Sequence, residues 1–379
     1  MVSSRPARRI GSSNLRLSDF DFDLSPKLIA QEPAPERDLA RLLYVDLTGE
    51  LLAHYRVRQL PDLLSPGDLL IVNDSRVFPA RISGKTRTGA SVEMLLLERL
   101  EGESGRWKVL AKPAKRLRPG TDVVLGAGRL HGKVVRSAGA GRRIIDFSPG
   151  GEGELHAILE EIGRTPLPPY IHREEGERER DQKDRQRYQT VYAGERGSIA
   201  APTAGLHFTG SLLEELAARG IGWARLTLHV GYGTFQPIRS EKIEEHRMEP
   251  ERYTLPEGTV SGIEETRARG GRIVAVGTTV VRALESAAGE RGDLRAGAGA
   301  TELFIHPGFR FRVVDALVTN FHLPRSSLFL LVCAFGGTER LRRAYAEAIR
   351  ASYRFYSYGD CMLLYPGPPG VVSRPAPGS

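Results

Sequence analysis

The sequence is poor in cysteine and contains no long apolar run. Only Cys333 and Cys361 occur among 379 residues, and each lies within an apolar segment. This pattern is typical of small buried side chains in a reducing compartment rather than of a disulfide framework. No apolar run reaches about 18 to 20 residues, the length that crosses a membrane as a helix. The sequence therefore predicts a cytoplasmic protein without a membrane segment.

Metal-binding and targeting patterns are also lacking. There is no cysteine cluster, and none of the nine histidines forms a His-x-x-x-His pair, so we predict no metal site. Residues 1–14 carry arginines and serines but no apolar signal core. The end of the chain is rich in proline and glycine. We expect disorder over 1–15 and 366–379.

Positive charge is unevenly distributed. The net charge is +8, and residues 66–150 hold 16 Lys and Arg against 8 Asp and Glu, a difference of +8 that leaves the rest of the chain balanced. Such an excess suits a surface that contacts a phosphate backbone. The alternative is that these bases are scattered over solvated strand faces.

The same basic segment has a pattern of short strands. Gly, Pro and Ser turns separate strand-like runs at 69–73, 91–97, 106–111, 121–125, 130–135 and 143–147. Strands without intervening helices predict a small barrel or sandwich. The flanks differ, because strands at 221–230, 272–276 and 312–320 alternate with helices at 211–219, 280–287, 327–335 and 341–352. This alternation predicts an α/β domain.

A highly charged run occupies residues 173–187, with six basic and six acidic side chains. It is too polar for the core, so it is either a surface helix or a mobile loop. A lid or an RNA contact is one interpretation of its role, and a solvated loop is the other and the favoured one.

Four segments repeat a pattern of strand, polar turn and helix. Residues 197–209 contain His207 and precede a capping-box pattern, Ser211 with Glu214. Residues 226–235 contain His229, and 271–279 end in Gly-Thr-Thr. Residues 318–327 contain His322 and end in Ser326-Ser327, which predicts a Ser-capped helix. In α/β proteins such turns lie at the carboxyl ends of strands, where ligands bind. We predict that these turns converge on one crevice, although each alone is also typical of an ordinary loop.

Together these segments resemble one family, the S-adenosylmethionine:tRNA ribosyltransferase-isomerases of queuosine synthesis. The matching motifs extend over most of the chain, from about residue 20 to 365, in the segments 22–31, 37–43, 67–81, 112–117, 187–193 and 353–360 and in the turns above. The resemblance implies an α/β catalytic domain with an inserted antiparallel β-barrel domain. The expected bounds are 16–65 with 151–365 for the catalytic domain and 66–150 for the basic barrel.

The resemblance also implies the reaction. The ribosyl part of S-adenosylmethionine is transferred to 7-aminomethyl-7-deazaguanine at the wobble position of a tRNA and isomerised to epoxyqueuosine, with release of adenine and methionine. S-adenosylmethionine is then a co-substrate, and no prosthetic group or metal is needed. The expected partner is the anticodon loop of tRNA, and the expected state is a monomer.

Candidate site residues follow from this chemistry. Proton transfer needs groups that change charge near neutral pH, and histidines at strand ends supply them. The predicted catalytic residues are His207, His229, His322 and Asp360. The predicted substrate-binding residues are Asn73, Asp74, Arg76, Tyr188, Gln189, Pro202, Thr203, Gly205, Phe208, Gly231, Gly233, Thr234, Gly277, Thr278, Thr279, Arg282, Glu285, Asn320 and Tyr356. The predicted tRNA contacts are Lys112, Lys115 and Arg116.

Structural roles compete with several of these assignments. The histidines also suit structural hydrogen bonds, and the aromatic residues also suit the core. Arg282 and Glu285 have the spacing of an i,i+3 surface ion pair. Two other functions remain open, a tRNA methyltransferase that uses S-adenosylmethionine and a non-catalytic tRNA-binding module. The first is disfavoured because no Gly-x-Gly-x-Gly segment follows an early strand.

Overall fold

The structure is a computed structural model that describes residues 15–368 except 101, 104, 174–177, 236 and 239. The predicted disordered ends lie mostly outside these residues. Two short parts of them belong to the fold. Leu15 is buried, and the backbone N–H of Gly367 donates to Oδ1 of Asp46 over 3.0 Å. Within the described ranges, no helix has the length and hydropathy needed to span a membrane.

The regular elements alternate between strand-rich and helix-rich segments. The strands are β1 Arg41–Asp46, β2 Leu52–Arg56, β3 Leu69–Asn73, β4 Ser75–Val77, β5 Arg81–Thr86, β6 Ser91–Arg99, β7 Arg106–Lys112, β8 Asp122–Leu125, β9 Leu130–Ser137, β10 Arg142–Ser148, β11 Glu195–Ser198, β12 Gly222–Leu228, β13 Glu251–Leu255, β14 Ile273–Val276, β15 Gly297–Thr301, β16 Ala316–Asn320 and β17 Cys361–Tyr365. The helices are α1 Leu60–Leu63, α2 Glu152–Ile162, α3 Arg178–Arg187, α4 Gly210–Ala218, α5 Glu257–Ala268, α6 Thr278–Ala287, α7 Ser327–Gly336 and α8 Thr338–Arg350.

The chain divides into two units. The first comprises Met1–Asn73, Thr203–Leu228 and Gly233–Ser379, and the second comprises Asp74–Pro202 and His229–Tyr232. The second unit starts at 74 and not at the expected 66, because β3, expected among the barrel strands, lies in the sheet of the first unit. The second unit also extends beyond the expected end at 150. The reason is hydrophobic, because Leu155 and Leu159 of α2 pack into the core of the second unit.

The first unit is built on a mixed sheet with the order β15-β13-β12-β3-β14-β16-β17-β1-β2. Its centre is parallel, since β3 pairs in parallel with β12 and β14, and β14 with β16. Strands β3, β14 and β16 are buried throughout, as expected for strands covered on both faces. Antiparallel strands complete both sides of the sheet. The predicted α/β domain is confirmed.

The second unit contains a closed antiparallel barrel with the order β10-β7-β6-β5-β8-β9. Its strands alternate buried and more exposed side chains, as in β6, where Val92, Met94 and Leu96 point inward. The predicted β-barrel is therefore confirmed. The charged run forms α3, and Arg185 of α3 donates to the carbonyl oxygens of Glu160 and Gly163 at the end of α2, both over 2.7 Å. For residues 178–187 the surface-helix prediction is right.

Of the two helix N-caps that were predicted, one is right and one is wrong. Helix α4 begins at Gly210, and the side chain of Thr209 accepts a hydrogen bond from the backbone N–H of Leu212 over 3.1 Å. The predicted capping box at Ser211 is therefore wrong by two residues. Ser326 caps α7 as expected, because its hydroxyl accepts from the backbone N–H of Phe329 over 3.2 Å.

Candidate active site

The strand ends of the first unit meet at one edge of the sheet. The parallel strands β3, β12, β14 and β16 end there, which brings Asn73, Gly277 and Asn320 to the same side. Strand β17 is antiparallel to β16, and Cys361 at its start pairs with Asn320. Asp360 therefore reaches this edge from the opposite chain direction. Parallel register explains how residues far apart in sequence become neighbours.

His207 ends a short 3₁₀ helix, Thr203–His207, and is buried. Its Nδ1 lies 3.1 Å from the carbonyl oxygen of Ala204, and its Nε2 lies 3.0 Å from that of Gly359. Burial lowers the pKa of His207, although the two carbonyl contacts act in the opposite direction. A neutral ring has one N–H and donates to only one of these carbonyl groups. The ring is consequently hydrogen-bonded to one of the two backbone segments and packed against the other.

His322 lies two residues beyond β16 and is also buried. Its Nε2 lies 2.9 Å from Oγ1 of Thr319, and its backbone N–H donates to the hydroxyl of Tyr345 over 3.0 Å. Burial lowers the pKa of His322 to about 3. The imidazole is therefore neutral at pH 7, and burial makes it a weak proton acceptor.

Asp360 is a buried carboxylate that receives several hydrogen bonds. Its Oδ1 accepts from the backbone N–H of Arg41 over 3.0 Å, and its Oδ2 accepts from the backbone N–H of Arg354 over 2.8 Å. The guanidinium of Arg41 donates to Oδ2 through Nε at 3.3 Å and Nη2 at 3.1 Å. Arg41 also donates through Nη1 to the carbonyl oxygen of Ala351 over 2.8 Å. Asp360 thus joins the start of β1 to the segment 351–360.

The turn before Asp360 is constrained at Tyr356 and Gly359. Tyr356 has φ of +74°, a left-handed conformation that is unusual for a tyrosine. Its carbonyl oxygen accepts from Nδ2 of Asn320 over 3.1 Å. Gly359 is required because an added Cβ would lie 2.4 Å from the carbonyl oxygen of Arg354. This turn therefore presents one carbonyl group to Asn320 and another to His207.

Asn73 connects three elements at the same edge. Its side chain accepts from the backbone N–H of Leu228 over 3.0 Å and donates to the carbonyl oxygen of Leu228 over 2.9 Å. Nδ2 also lies 3.4 Å from Oγ1 of Thr279. The amide thus ties the end of β3 to the end of β12 and to the first turn of α6.

Helix α6 begins directly after β14 and directs its N-terminus to this edge. Gly277, the N-cap, has φ of +98°, and an added Cβ would lie 3.5 Å from Cβ of Ala204. Thr278 and Thr279 follow as the first two residues of the helix and are buried. The first backbone N–H groups of a helix lack partners within the helix and attract anions.

Arg282 and Glu285 are both buried and have different partners, so the alternative of a surface pair is wrong. Arg282 forms an ion pair with Glu251 of β13 and donates through Nε to the carbonyl oxygen of Leu303 over 3.0 Å. Its Nη2 is buried with no hydrogen-bond partner among the described residues. Glu285 instead accepts three backbone N–H groups, at distances of 2.8, 3.0 and 3.0 Å, from Arg312, Val313 and Val314.

The remaining predicted residues of the first unit are packed or bonded locally. Thr234 donates through its hydroxyl to Oε1 of Glu251 over 2.8 Å, and Gly233 lies against Glu249. Gly205 and Phe208 are buried, and Thr203 is half-buried. Burial of Phe208 and Tyr356 agrees with the core interpretation of these aromatic residues.

The second unit holds the other predicted substrate-binding residues. His229 packs against Gly197, where an added Cβ would lie 2.7 Å from the imidazole. Gln189 forms a two-way pair with Val77, accepting from its N–H over 3.1 Å and donating to its carbonyl oxygen over 2.6 Å. The other predicted substrate-binding residues of this unit differ in exposure. Tyr188, Asp74 and Pro202 are buried, Gly231 is half-buried, and Arg76 is exposed.

The predicted tRNA contacts lie on the barrel surface. Lys112, Lys115 and Arg116 are exposed and form no ion pair with any described residue. Neighbouring acids are already engaged, since Glu93 pairs with Arg81 and Glu98 with Lys108. Lys112 also borders an open groove of about 730 Å³ that Lys85, Ser91 and Val124 help to line. The cations are therefore available to a polyanion.

Two residues that shape this region were missed as site residues by sequence reasoning. Arg41 fixes Asp360, and Glu251 fixes Arg282 and Thr234. Neither has a sequence signal for such a role, because each partner lies more than 15 residues away along the chain. Pairing across the sheet, which depends on tertiary structure, creates both contacts.

Comparisons with known proteins agree with this geometry. The family model described as queuosine biosynthesis protein matches residues 17–364. A protein from Pelotomaculum thermopropionicum is 50% identical over 351 residues, covering 92% of this chain and 100% of that protein, and one from Symbiobacterium thermophilum is 51% identical with the same coverage. Both are named S-adenosylmethionine:tRNA ribosyltransferase-isomerase.

A crystal structure provides the structural comparison. The S-adenosylmethionine tRNA ribosyltransferase of Thermotoga maritima is 38% identical, with a TM-score of 0.51, and the match covers 91% of this chain and 99% of that one. The family match spans both units, including the sheet edge that carries His207, His322 and Asp360. This chain therefore belongs to the queuosine biosynthesis protein family.

Proposed function

We propose that this chain is an S-adenosylmethionine:tRNA ribosyltransferase-isomerase that acts in queuosine biosynthesis. The observation that carries the proposal is about 50% identity over 92% of the chain to proteins of that name. The reaction transfers the ribosyl group of S-adenosylmethionine to 7-aminomethyl-7-deazaguanine at the tRNA wobble position. Isomerisation gives epoxyqueuosine, with release of adenine and methionine.

Proton transfer is the first chemical requirement. The sulfonium group acidifies the adjacent C5′ protons, so a positioned neutral base is able to form an ylide and start the elimination. His322 lies at the sheet edge and is a candidate by position, but the burial that lowers its pKa to about 3 also makes it a weak base at pH 7. His207 is held between two carbonyl groups, which suits orientation of the ring more than free proton exchange. His229 directly follows β12 and is retained as a further candidate because it lies at a strand end.

Asp360 fits a positioning role rather than direct proton transfer. Its two oxygens receive hydrogen bonds from Arg41 and Arg354, so both are occupied in the folded chain. The carboxylate thereby fixes the turn whose Gly359 carbonyl group contacts His207. We therefore assign Asp360 to orienting the histidine and Tyr356.

The methionine part of the substrate is expected at the start of α6. Its carboxylate suits the N-terminal N–H groups at Thr278 and Thr279, as anions do at helix N-termini. Buried Nη2 of Arg282 supplies a further donor without a partner among the described residues. Asn320 and Asn73 contribute polar side chains to the same edge.

The tRNA part of the site is proposed on the barrel surface. Lys112, Lys115 and Arg116 are exposed cations on a segment that holds the whole excess of positive charge. Such a surface binds phosphate groups without reading sequence. The anticodon loop, a cytoplasmic location and a monomeric state are proposed from the family resemblance. A dimer in light scattering would contradict the last of these.

The decisive experiment follows the small-molecule products. The protein is incubated with S-adenosylmethionine and tRNA bearing 7-aminomethyl-7-deazaguanine, and mass spectrometry identifies what is released. We expect adenine and methionine in equal amounts and a matching mass gain on the tRNA. S-adenosylhomocysteine would instead indicate methyl transfer, which the comparisons do not favour.

A matched substrate provides the control. The same tRNA with an unmodified guanine at the wobble position lacks the aminomethyl nucleophile and should release no adenine. Tight tRNA binding without any turnover of the modified tRNA would support a non-catalytic binding module and refute the proposed activity.

A further inference from the structure

The segment 302–312 of the first unit carries a concentration of aromatic rings. The Phe304 ring lies between the rings of His246 and His306, with centroid distances of 4.8 and 5.5 Å. Seven residues later, Phe311 packs against Phe309 at 5.0 Å and against Phe335 of α7 at 4.9 Å. All six rings are half-buried, so each keeps part of its surface in contact with solvent.

Two buried charged residues of α6 hold the ends of this segment. Arg282 donates to the carbonyl oxygen of Leu303, and Glu285 accepts the N–H groups of Arg312, Val313 and Val314. Burying such groups is unfavourable unless each is paired, and here each is. The anchoring leaves the aromatic residues between Leu303 and Arg312 in a defined arrangement. Hydrogen bonds with an ionised partner are stronger than neutral ones, which favours this fixed arrangement.

Charges of both signs surround the rings. Residues 302–312 contain two arginines and a single acid, Glu302, whereas residues 241–251 contain five glutamates against one lysine and one arginine. Arg310 is exposed and takes part in no ion pair with the described residues. Arg247 is also exposed, and its Nη1 donates to the carbonyl oxygen of His246 over 3.2 Å, which brings the guanidinium close to the first ring cluster. Aromatic faces beside arginines suit unpaired nucleotides, whose bases stack while their phosphates meet the cations.

We propose that segment 302–312, with His246 and Arg247, is a stacking surface for unpaired bases of the tRNA substrate. The inference rests on the proposed function for the identity of the RNA. It adds a binding surface in the first unit that is distinct from the barrel cations, Lys112, Lys115 and Arg116. Phe304 and Phe309 supply the stacking faces, and Arg310 and Arg247 contact the phosphates.

The test measures equilibrium binding of full-length tRNA by anisotropy. Phe304→Leu and Phe309→Leu keep an apolar side chain but remove the aromatic face, and each should weaken binding about tenfold. Phe304→Trp should restore wild-type affinity, which a purely structural role of the ring would not predict. The matched control is Tyr55→Leu, which removes a half-buried ring from β2. The KM for S-adenosylmethionine should stay unchanged in all variants.

A second measurement does not depend on loss of affinity. The indole introduced by Phe304→Trp should lose fluorescence when tRNA binds, because stacking on a base quenches it. Affinity within twofold of wild type in both leucine variants, or no quenching in the tryptophan variant, would overturn the inference. Failure of the proposed function is distinguishable from failure of this inference. If the proposed function is wrong, the wild-type protein releases no adenine, whatever affinity the variants have for tRNA.

Discussion

At the scale of single residues, the chemistry of a side chain depends on what its atoms already contact. Asp360 and His207 have residue types suited to proton transfer, yet their polar atoms are engaged by backbone groups. His322 differs, because its side-chain hydrogen bond to Thr319 uses only Nε2. The three residues therefore divide into two whose polar atoms are engaged by backbone groups and one whose imidazole makes a single side-chain hydrogen bond.

Burial of His322 has a consequence for stability that is measurable. Its folded-state pKa of about 3 lies below the ordinary value of 6.5, so the unfolded chain binds the proton more tightly. Stability must fall as the pH drops below about 6.5. Between pH 7 and pH 5 this one group should remove about 2 kcal/mol from the free energy of unfolding. We predict that His322→Asn unfolds in urea with a pH dependence smaller by that amount.

The control for this prediction is His131→Asn on the barrel surface, where the side chain is exposed. That variant should keep the pH dependence of the wild-type protein. An identical pH dependence in His322→Asn and wild type would mean that the imidazole of His322 is not buried in its neutral form.

Sequence reasoning placed strand ends better than it assigned roles. The turns that contain Gly277 and His322 do lie at one sheet edge, because strand ends and helix starts have local signals such as glycine and Ser326. The role of a side chain depends on the residues that it contacts, and no local sequence pattern reveals these contacts. Arg282 and Glu285 have the spacing of a surface pair, but tertiary packing buries both and gives them different partners.

At the scale of elements, several strongly patterned segments were predicted, whereas other strands were not, including the buried interior strands β1 and β17. Strand β3 was expected over its observed range, and β9 and α7 were expected to within two residues at each end. Strands β13 and β15 were missed, since their sequences, Glu251–Leu255 and Gly297–Thr301, have little apolar alternation. Their strand conformation depends on pairing with each other and with β12, which stabilises residues of low intrinsic preference.

The buried ion pair between α6 and β13 allows structure and substrate binding to be separated. Arg282→Met or Glu251→Leu alone leaves one buried charge unpaired and should cost about 3 to 5 kcal/mol of stability. The double variant removes both charges and should recover most of this loss in urea unfolding. If Nη2 of Arg282 binds the methionine carboxylate, the double variant should still show a KM for S-adenosylmethionine raised about tenfold.

That comparison distinguishes the two roles of the arginine. A stable double variant with a wild-type KM for S-adenosylmethionine would limit Arg282 to the support of β13 and Leu303. A raised KM for tRNA alone would point to the carbonyl contact at Leu303, and so to segment 302–312.

At the scale of the whole molecule, charge and chemistry are carried by different parts of the chain. The segment 66–150 holds the entire excess charge of +8, whereas the sheet edge with His207, His322 and α6 belongs to the first unit. Phosphate contacts contribute affinity that depends on salt, and contacts at the reacting groups contribute rate. Substitutions on the barrel surface should therefore change tRNA affinity and its salt dependence. Substitutions at the sheet edge should change the reaction rate.

The barrel cations give the prediction that tests this division. Replacing Lys112, Lys115 and Arg116 together by alanine should weaken tRNA binding and lower the slope of log affinity against log salt by about 2 to 3. The rate at saturating tRNA should stay close to wild type, because none of these side chains belongs to the sheet edge. The matched control replaces Lys108 and Arg129, which already pair with Glu98 and Glu161, and should change the slope much less. An unchanged slope in the triple variant would exclude these three residues from the tRNA contact and leave the positive charge of the barrel as a solvated surface.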